Sequence, residues 1–301
     1  MRVFVTGASG HVASAVIPEL LAAGHEVVGL ARSDASAEVV AALGAEVRRG
    51  DLDDLDGLAV AAADADGVIH LAFKHDLMQS GDLASAATAD LAAIRAIGDA
   101  LAGSGKPLVG TSGTLLLATM GITGRAGTES DAFAGGYRID AENAIIALAD
   151  RGVRSSVLRL PPSVHSDLDR QGFVPALIGF ARANGFAGYP GDGTNRWPAV
   201  HTRDAAHLYR LALESAPGRT RLHAVGDEGV AFREIAEAIG RGLGIPATSV
   251  GPDDAQAAFG FLASFVSVDN PTSAAITREL MDWKPQQPGL IEDIDSGHYF
   301  A

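Results

Sequence analysis

Val3-Phe4-Val5-Thr6-Gly7-Ala8-Ser9-Gly10-His11-Val12-Ala13 runs from an apolar, β-prone segment through a glycine turn into Ala15, Val16, Ile17, Leu20 and Leu21 at helical spacing. Gly7 can take the positive φ that a tight strand-to-helix turn needs, and Gly10 brings no Cβ between an approaching anion and the backbone N–H groups of the helix start. The stretch therefore reads as the phosphate-binding turn of a dinucleotide fold, with the diphosphate on a helix N-terminus. Ala13 stands where the usual third glycine would be and still permits close helix–strand packing.

Outward from that turn, strands and helices alternate. Strands are expected over Glu26–Arg32, Glu46–Arg49, Gly67–Ala72, Pro107–Thr111 and Arg154–Arg159. Helices are expected over about 35–43, 55–63, 82–101 and 137–149, and Pro18 predicts a bend in the first helix. This βαβ spacing implies an α/β fold, a Rossmann-type doubly wound parallel sheet. Past Leu160-Pro161-Pro162 the texture changes. Gly185–Pro198 reads as loop, and 232–243, 253–265 and 273–280 read as helices of a smaller C-terminal substrate-binding portion. The expected division is residues 1–160 with about 203–226 for the nucleotide, and about 161–202 with 227–301 for the substrate.

The chain has 301 residues, 47% of them hydrophobic, enough for a large core. A net charge of −14 without a basic block argues against nucleic acid or an anionic membrane as partner. No cysteine is present, so thiolate chemistry and disulfides are excluded, which fits a cytoplasmic protein. The motif begins at Val3, leaving no room for a signal peptide, and no apolar stretch reaches the ~18 residues of a membrane span. The nine histidines show no metal-ligand spacing.

Five blocks in order, Thr6–Gly10, Gly50-Asp51-Leu52, Val68–Ala72, Val157-Leu158-Arg159 and Val200–Ala206, resemble the extended short-chain dehydrogenase/reductase family, which includes nucleotide-sugar epimerases and dehydratases. The resemblance spans nearly the whole chain. It implies an NAD(P) site built from Gly7, Ser9, Gly10, His11 and Val12, from Leu71, Ala72 and Phe73, from Thr111, and from Leu160, Pro161 and Pro162. Asp51 would accept from the adenine amino group with Leu52 along the ring, or else cap the next turn. At the end of the second strand, where a carboxylate would select NAD, stand Ala31, Arg32 and Ser33. A guanidinium and a hydroxyl there suit a 2′-phosphate, so NADP(H) is the expected cofactor, with Asp34 nearby as a competing carboxylate.

The family's catalytic set is a Ser or Thr after the fifth strand and a Tyr-x-x-x-Lys. Tyr137 is followed four residues on by Ala141, and the seventeen-residue interval from Glu142 to Arg159 instead puts Ala134 at the tyrosine and Arg138 at the lysine. Gly113 takes the serine position, flanked by Ser112 and Thr114 as substitutes. Arg138 can donate to a ribose but cannot relay a proton. His201 is expected to be structural, before a helix cap at Asp204, with His165 and Trp197 in loops near the cleft. The expected function is an NADP(H)-dependent oxidoreductase reducing a carbonyl or related C=X bond of a small-molecule substrate. Its alternatives are a cofactor-binding sensor without turnover and a nucleotide-sugar epimerase or dehydratase. Apolar faces on 82–101 and 137–149 point to a homodimer, or to packing against their own sheet.

Overall fold

The computed structural model describes residues 1–301, apart from the side chains of Met78, Gln79 and Tyr137. The chain begins β1 (Arg2–Thr6), α1 (Ala13–Ala22), β2 (Glu26–Ala31), α2 (Asp34–Ala42), β3 (Glu46–Arg49), α3 (Leu55–Asp64) and β4 (Gly67–His70). It continues α4 (His75–Gln79), α5 (Leu83–Leu101), β5 (Pro107–Gly113), α6 (Leu115–Thr119), α7 (Tyr137–Ala147) and β6 (Arg154–Leu160). Then come β7 (Ser163–His165), α8 (Phe173–Asn184), β8 (Ala187–Pro190), β9 (Arg196–His201), α9 (Thr202–Ser215), β10 (Thr220–His223) and β11 (Asp227–Ala231). Last are α10 (Phe232–Leu243), β12 (Ala247–Val250), α11 (Ala255–Phe259), α12 (Ala275–Met281) and α13 (Leu290–Asp295).

Seven strands form one parallel sheet in the order β10-β6-β5-β4-β1-β2-β3. Period-two alternation in β1 sends Val3 and Val5 into the core under α1 and α9, and Phe4 into the opposite core under α3, α5 and α7. Both faces are covered, which is why the inner strands read as continuous apolar runs. Sheet order reverses between β1 and β4, so a crevice opens at their C-terminal ends.

α1 continues through Pro18. Asp82 caps α5 rather than joining it, accepting from the Ser85 amide at 3.1 Å. The C-terminal portion departs more from expectation. Gly185–Pro198 is not all loop: β8 pairs with β12, and β9 pairs with β7 and β11. The helix expected over 253–265 is broken, because Gly260 takes φ +52° and a Cβ there would strike the Phe180 ring at 2.8 Å. A third core, around Trp197, Phe232, Phe259 and Leu262, fills this portion. No helix among the described residues is long and apolar enough to cross a membrane.

Candidate functional site

At the β1/β4 switch point lies a cleft of about 300 Å³. Its walls include Gly7, Ser9 and Gly10 from the first turn, Arg32 and Ser36 beyond β2, and Asp51 and Leu52 after β3. Leu71, Ala72 and Phe73 after β4 complete it. Gly7 has φ +64°, and a Cβ built on it would lie 2.8 Å from the Ala72 nitrogen, so only glycine lets β1 turn beneath β4 here. The Gly10 amide bonds to the Gly7 carbonyl at 2.9 Å. The amides of Ser9, His11 and Val12 have no acceptor among the described residues. Three free donors at a helix start, over a turn kept clear of side chains, fit a dinucleotide diphosphate.

Below the turn, a buried chain fixes the β4 wall. The Ala72 amide donates to Thr6 Oγ1 at 3.2 Å, Thr6 bonds His70 Nδ1 at 2.8 Å, and His70 Nε2 lies 3.1 Å from Asp90 on α5. Lys74 grips both oxygens of Asp53 at 2.7 and 2.6 Å. Arg138 donates to the Thr111 carbonyl at 2.9 Å and stacks 4.1 Å above the Phe73 ring, so it supports the cleft wall from behind.

At the adenosine end, Arg32 faces the cleft while Asp34 pairs with Arg49 across β3. Asp76, from the opposite wall, stands 4.0 Å from Arg32 in an exposed pair. Ser33 is occupied as the N-cap of α2: its hydroxyl takes the Ser36 amide, and Ser36 reaches back to the Ser33 amide. Ser36 therefore stands in the wall where sequence reasoning had put Ser33. The three-residue serine spacing of the cap was the signal that could have found it. Lys74, His75, Asp76 and Gln171 also line the cleft, and for Gln171, over a hundred residues from the turn, the sequence carries no signal.

The remaining site residues of the sequence analysis lie outside the cleft walls. Thr111 donates to the His70 carbonyl and bonds the Tyr209 hydroxyl, each at 2.8 Å. Ser112 is buried at the Glu142 carboxylate. Burial pushes that carboxyl upward, but bonds from Arg159 and Arg221 outweigh it and hold Glu142 below its usual range. Thr114 is fully buried and accepts from Asn270 Nδ2 at 3.1 Å. Val12, Leu160, Pro161 and Pro162 flank the turn and the end of β6 without joining the wall. The Tyr137 side chain lies outside the described residues.

His201 is itself the N-cap of α9, its Nδ1 accepting the Arg203 amide at 3.2 Å. The Asp204 carboxylate is not the cap. It takes the amides of Gln286 and Gln287 at 2.9 and 3.0 Å, tying the C-terminal segment to α9. Trp197 is core, against Phe173 and Phe232. His165 is fully buried and bonds Asp293 at 2.9 Å.

Comparison with known proteins agrees with the geometry. The chain is 45% identical, over the full length of both, to the uncharacterized protein C2A9.02 of Schizosaccharomyces pombe. It superimposes on the UDP-glucose 4-epimerase of Thermotoga maritima with a TM-score of 0.80 at 17% identity, covering 100% of this chain and 98% of that one. The DesIV dTDP-glucose 4,6-dehydratase of Streptomyces venezuelae, solved with NAD bound, gives 0.78 at 18% identity, covering 99% and 96%. The family profile described as NAD(P)H-binding matches residues 7–158, from the glycine turn to β6. The chain thus belongs to the NAD(P)H-binding family, on the fold of the extended short-chain dehydrogenases/reductases.

Proposed function

We propose that this protein is an NADP(H)-dependent oxidoreductase that reduces a carbonyl, or a related C=X bond, on a small organic substrate. One observation carries the cofactor preference: Arg32 and Ser36 face the cleft while Asp34, the carboxylate next after β2 in the chain, is paired with Arg49. A 2′-phosphate meets a guanidinium and a hydroxyl there, and no β2 carboxylate takes the ribose hydroxyl. Its oxygens displace Asp76, since an exposed pair at 4.0 Å contributes little.

When bound, the cofactor supplies hydride to the carbonyl carbon. The chain must then deliver a proton to the oxygen. Thr111, Ser112 and Thr114 are bonded or buried away from the cleft, and positions 113 and 134 carry no hydroxyl. Arg138 stays charged and holds the Phe73 wall. The proton then comes from water entering the cleft mouth or from the Tyr137 phenol, the donors that this leaves. The division into a nucleotide portion, 1–160 with about 203–226, and a substrate portion, about 161–202 with 227–301, belongs to the same proposal, with the third core as its support.

Following NADPH oxidation against a panel of aldehydes, ketones and imines tests the reading. Turnover with a member of the panel is expected. Tight NADPH binding without turnover anywhere in the panel would overturn it in favour of a sensor, the rival that Ala134 and Gly113 favour. Epimerase or dehydratase chemistry, named for the two solved relatives, also needs proton transfer at a sugar carbonyl and meets the same shortage of donors.

For assembly, we assign the groove of Ile94, Arg95, Ala144, Ala147, Leu148 and Arg151 between α5 and α7 to a two-fold homodimer. A light-scattering mass of 30.8 kDa, the single chain, at micromolar concentration would contradict that assignment.

A further inference from the structure

The segment between β7 and α8 reaches from the C-terminal portion to the cleft, where Gln171 joins the wall. Two residues earlier, Asp169 faces the glycine turn: its Oδ1 is 3.5 Å from His11 Nδ1. The neighbours of His11 determine where its hydrogen sits. Thr202 Oγ1 donates to the His165 carbonyl at 3.0 Å, and a carbonyl can only accept. The Thr202 oxygen must therefore accept its other two bonds, from the Ser166 hydroxyl at 2.9 Å and from His11 Nε2 at 2.8 Å. With hydrogen on Nε2, neutral His11 presents a bare lone pair on Nδ1, 3.5 Å from a carboxylate oxygen. Two acceptors face each other unless a proton lies between them.

We propose that His11 and Asp169 hold one exchangeable proton as a pair, and that a dinucleotide diphosphate on the glycine turn draws this proton in from solvent, seating the Gln171 segment against the turn. The inference rests on dinucleotide occupancy of the cleft and is independent of the NADP preference.

The surroundings set the direction. His11 is faced by Asp169 and by the rings of His165 and His201, which oppose a further charge, and Thr202 is its only other polar partner among the described residues. Asp169 takes the Gly172 amide at 2.7 Å and the Tyr299 hydroxyl at 3.3 Å. Beyond them, Asp293 is bonded by His165 and His298, and Arg203 by Asp167, so none of these five is free to compensate the pair. Burial pushes the Asp169 carboxyl up to about 6, and burial with the two neighbouring imidazoles pushes His11 down to about 4. Without ligand, the carboxyl side of the pair gives up its proton at about pH 6. The diphosphate changes this because the His11 amide is one of its donors. A dianion at the backbone of residue 11 favours a proton on the side chain behind it.

Asp169 is thus a positioning residue for cofactor binding, acting through His11. The test is calorimetric titration of NADPH near neutral pH in two buffers of different ionisation enthalpy, which counts protons taken up on binding. The 2′-phosphate also titrates near pH ~6, so the readout is the difference between wild type and Asp169→Asn. In that variant the charge is gone: Oδ1 makes both the Gly172 and the His11 contact, so the amide keeps the Gly172 bond through its oxygen and offers Nδ1 no titratable partner. The wild type is expected to take up more protons, by a substantial fraction of one. Its affinity is expected to fall more steeply as pH rises, by up to about tenfold per pH unit. Asp169→Asn is expected to bind NADPH at least as tightly at alkaline pH. His11→Phe, which cannot hold the proton, must lose the same linkage and serves if Asp169→Asn fails to fold. Equal proton uptake in wild type and variants overturns the proposal. Failure of NADPH and NADH to bind at all would instead remove the dinucleotide occupancy on which it rests, and the proposal with it.

Discussion

Arg159 is 1% exposed and charged, and its guanidinium is met on every side. Two nitrogens reach Glu142 at 3.0 and 2.6 Å, one also donates to the Asp131 carbonyl at 2.8 Å, and the third contacts His223 Nε2 at 3.2 Å. Arg221 closes the carboxylate from the other side at 2.6 Å. The seventeen-residue interval between Glu142 and Arg159, readable in the sequence, is thus the span between two halves of one buried ion pair joining α7 to β6. Arg159→Met leaves Glu142 with a single cation and is expected to cost about 3–5 kcal/mol in urea denaturation, the scale for breaking a buried pair. A loss below about 1 kcal/mol would show that Arg221 alone satisfies the carboxylate. Other residue roles were legible only in part. Arg32 was visible from its place after β2, whereas the exchange of Ser33 for Ser36 in the wall depends on cap geometry that residue identity alone does not display.

Among the elements, the turn between β1 and α1 combines a steric demand with a conformational one. At Gly7 both φ +64° and the 2.8–2.9 Å approach of Leu71 and Ala72 backbone exclude a side chain. Gly7→Ala must shift β4 or strain the turn, at about 1–3 kcal/mol. The expected outcome is a lower melting temperature that NADPH no longer raises, against a wild type that NADPH stabilises. An unchanged NADPH-induced rise in Gly7→Ala would contradict the role given to the turn. The elements of the parallel sheet were readable because strands covered on both faces are written as apolar runs between turn signals. β8 and β9 were not, since they lie among Gly191, Gly193, Pro190 and Pro198, whose turn chemistry masks them. The broken helix at Gly260 follows from the Phe180 ring packed against it, a tertiary contact with no local signature.

For the whole molecule, buried neutral histidines make stability depend on pH. Burial lowers His201 and His223 from 6.5 to about 4. A lowered folded value means that the unfolded chain binds protons first, so this stability is complete above about pH 6.5 and is lost as pH falls toward 4. The slope is at most about 1.4 kcal/mol per pH unit for each histidine, and less for His201, whose shielding is partial. Urea midpoints followed from pH 7 to 4 should fall steeply across that window. A flat profile would mean that these imidazoles gain water on protonation without unfolding. The fold as a whole was legible because its motifs occur in order along the sheet. The closure of the cleft by Gln171 was not, because it joins segments far apart in sequence.

The most direct measurement is a calorimetric titration of the wild type and of Arg32→Asp with NADPH and NADH. The account predicts tighter NADPH binding in the wild type. The preference should fall by one to two powers of ten in Arg32→Asp, each power being about 1.4 kcal/mol. Equal affinities for the two cofactors in the wild type would contradict it.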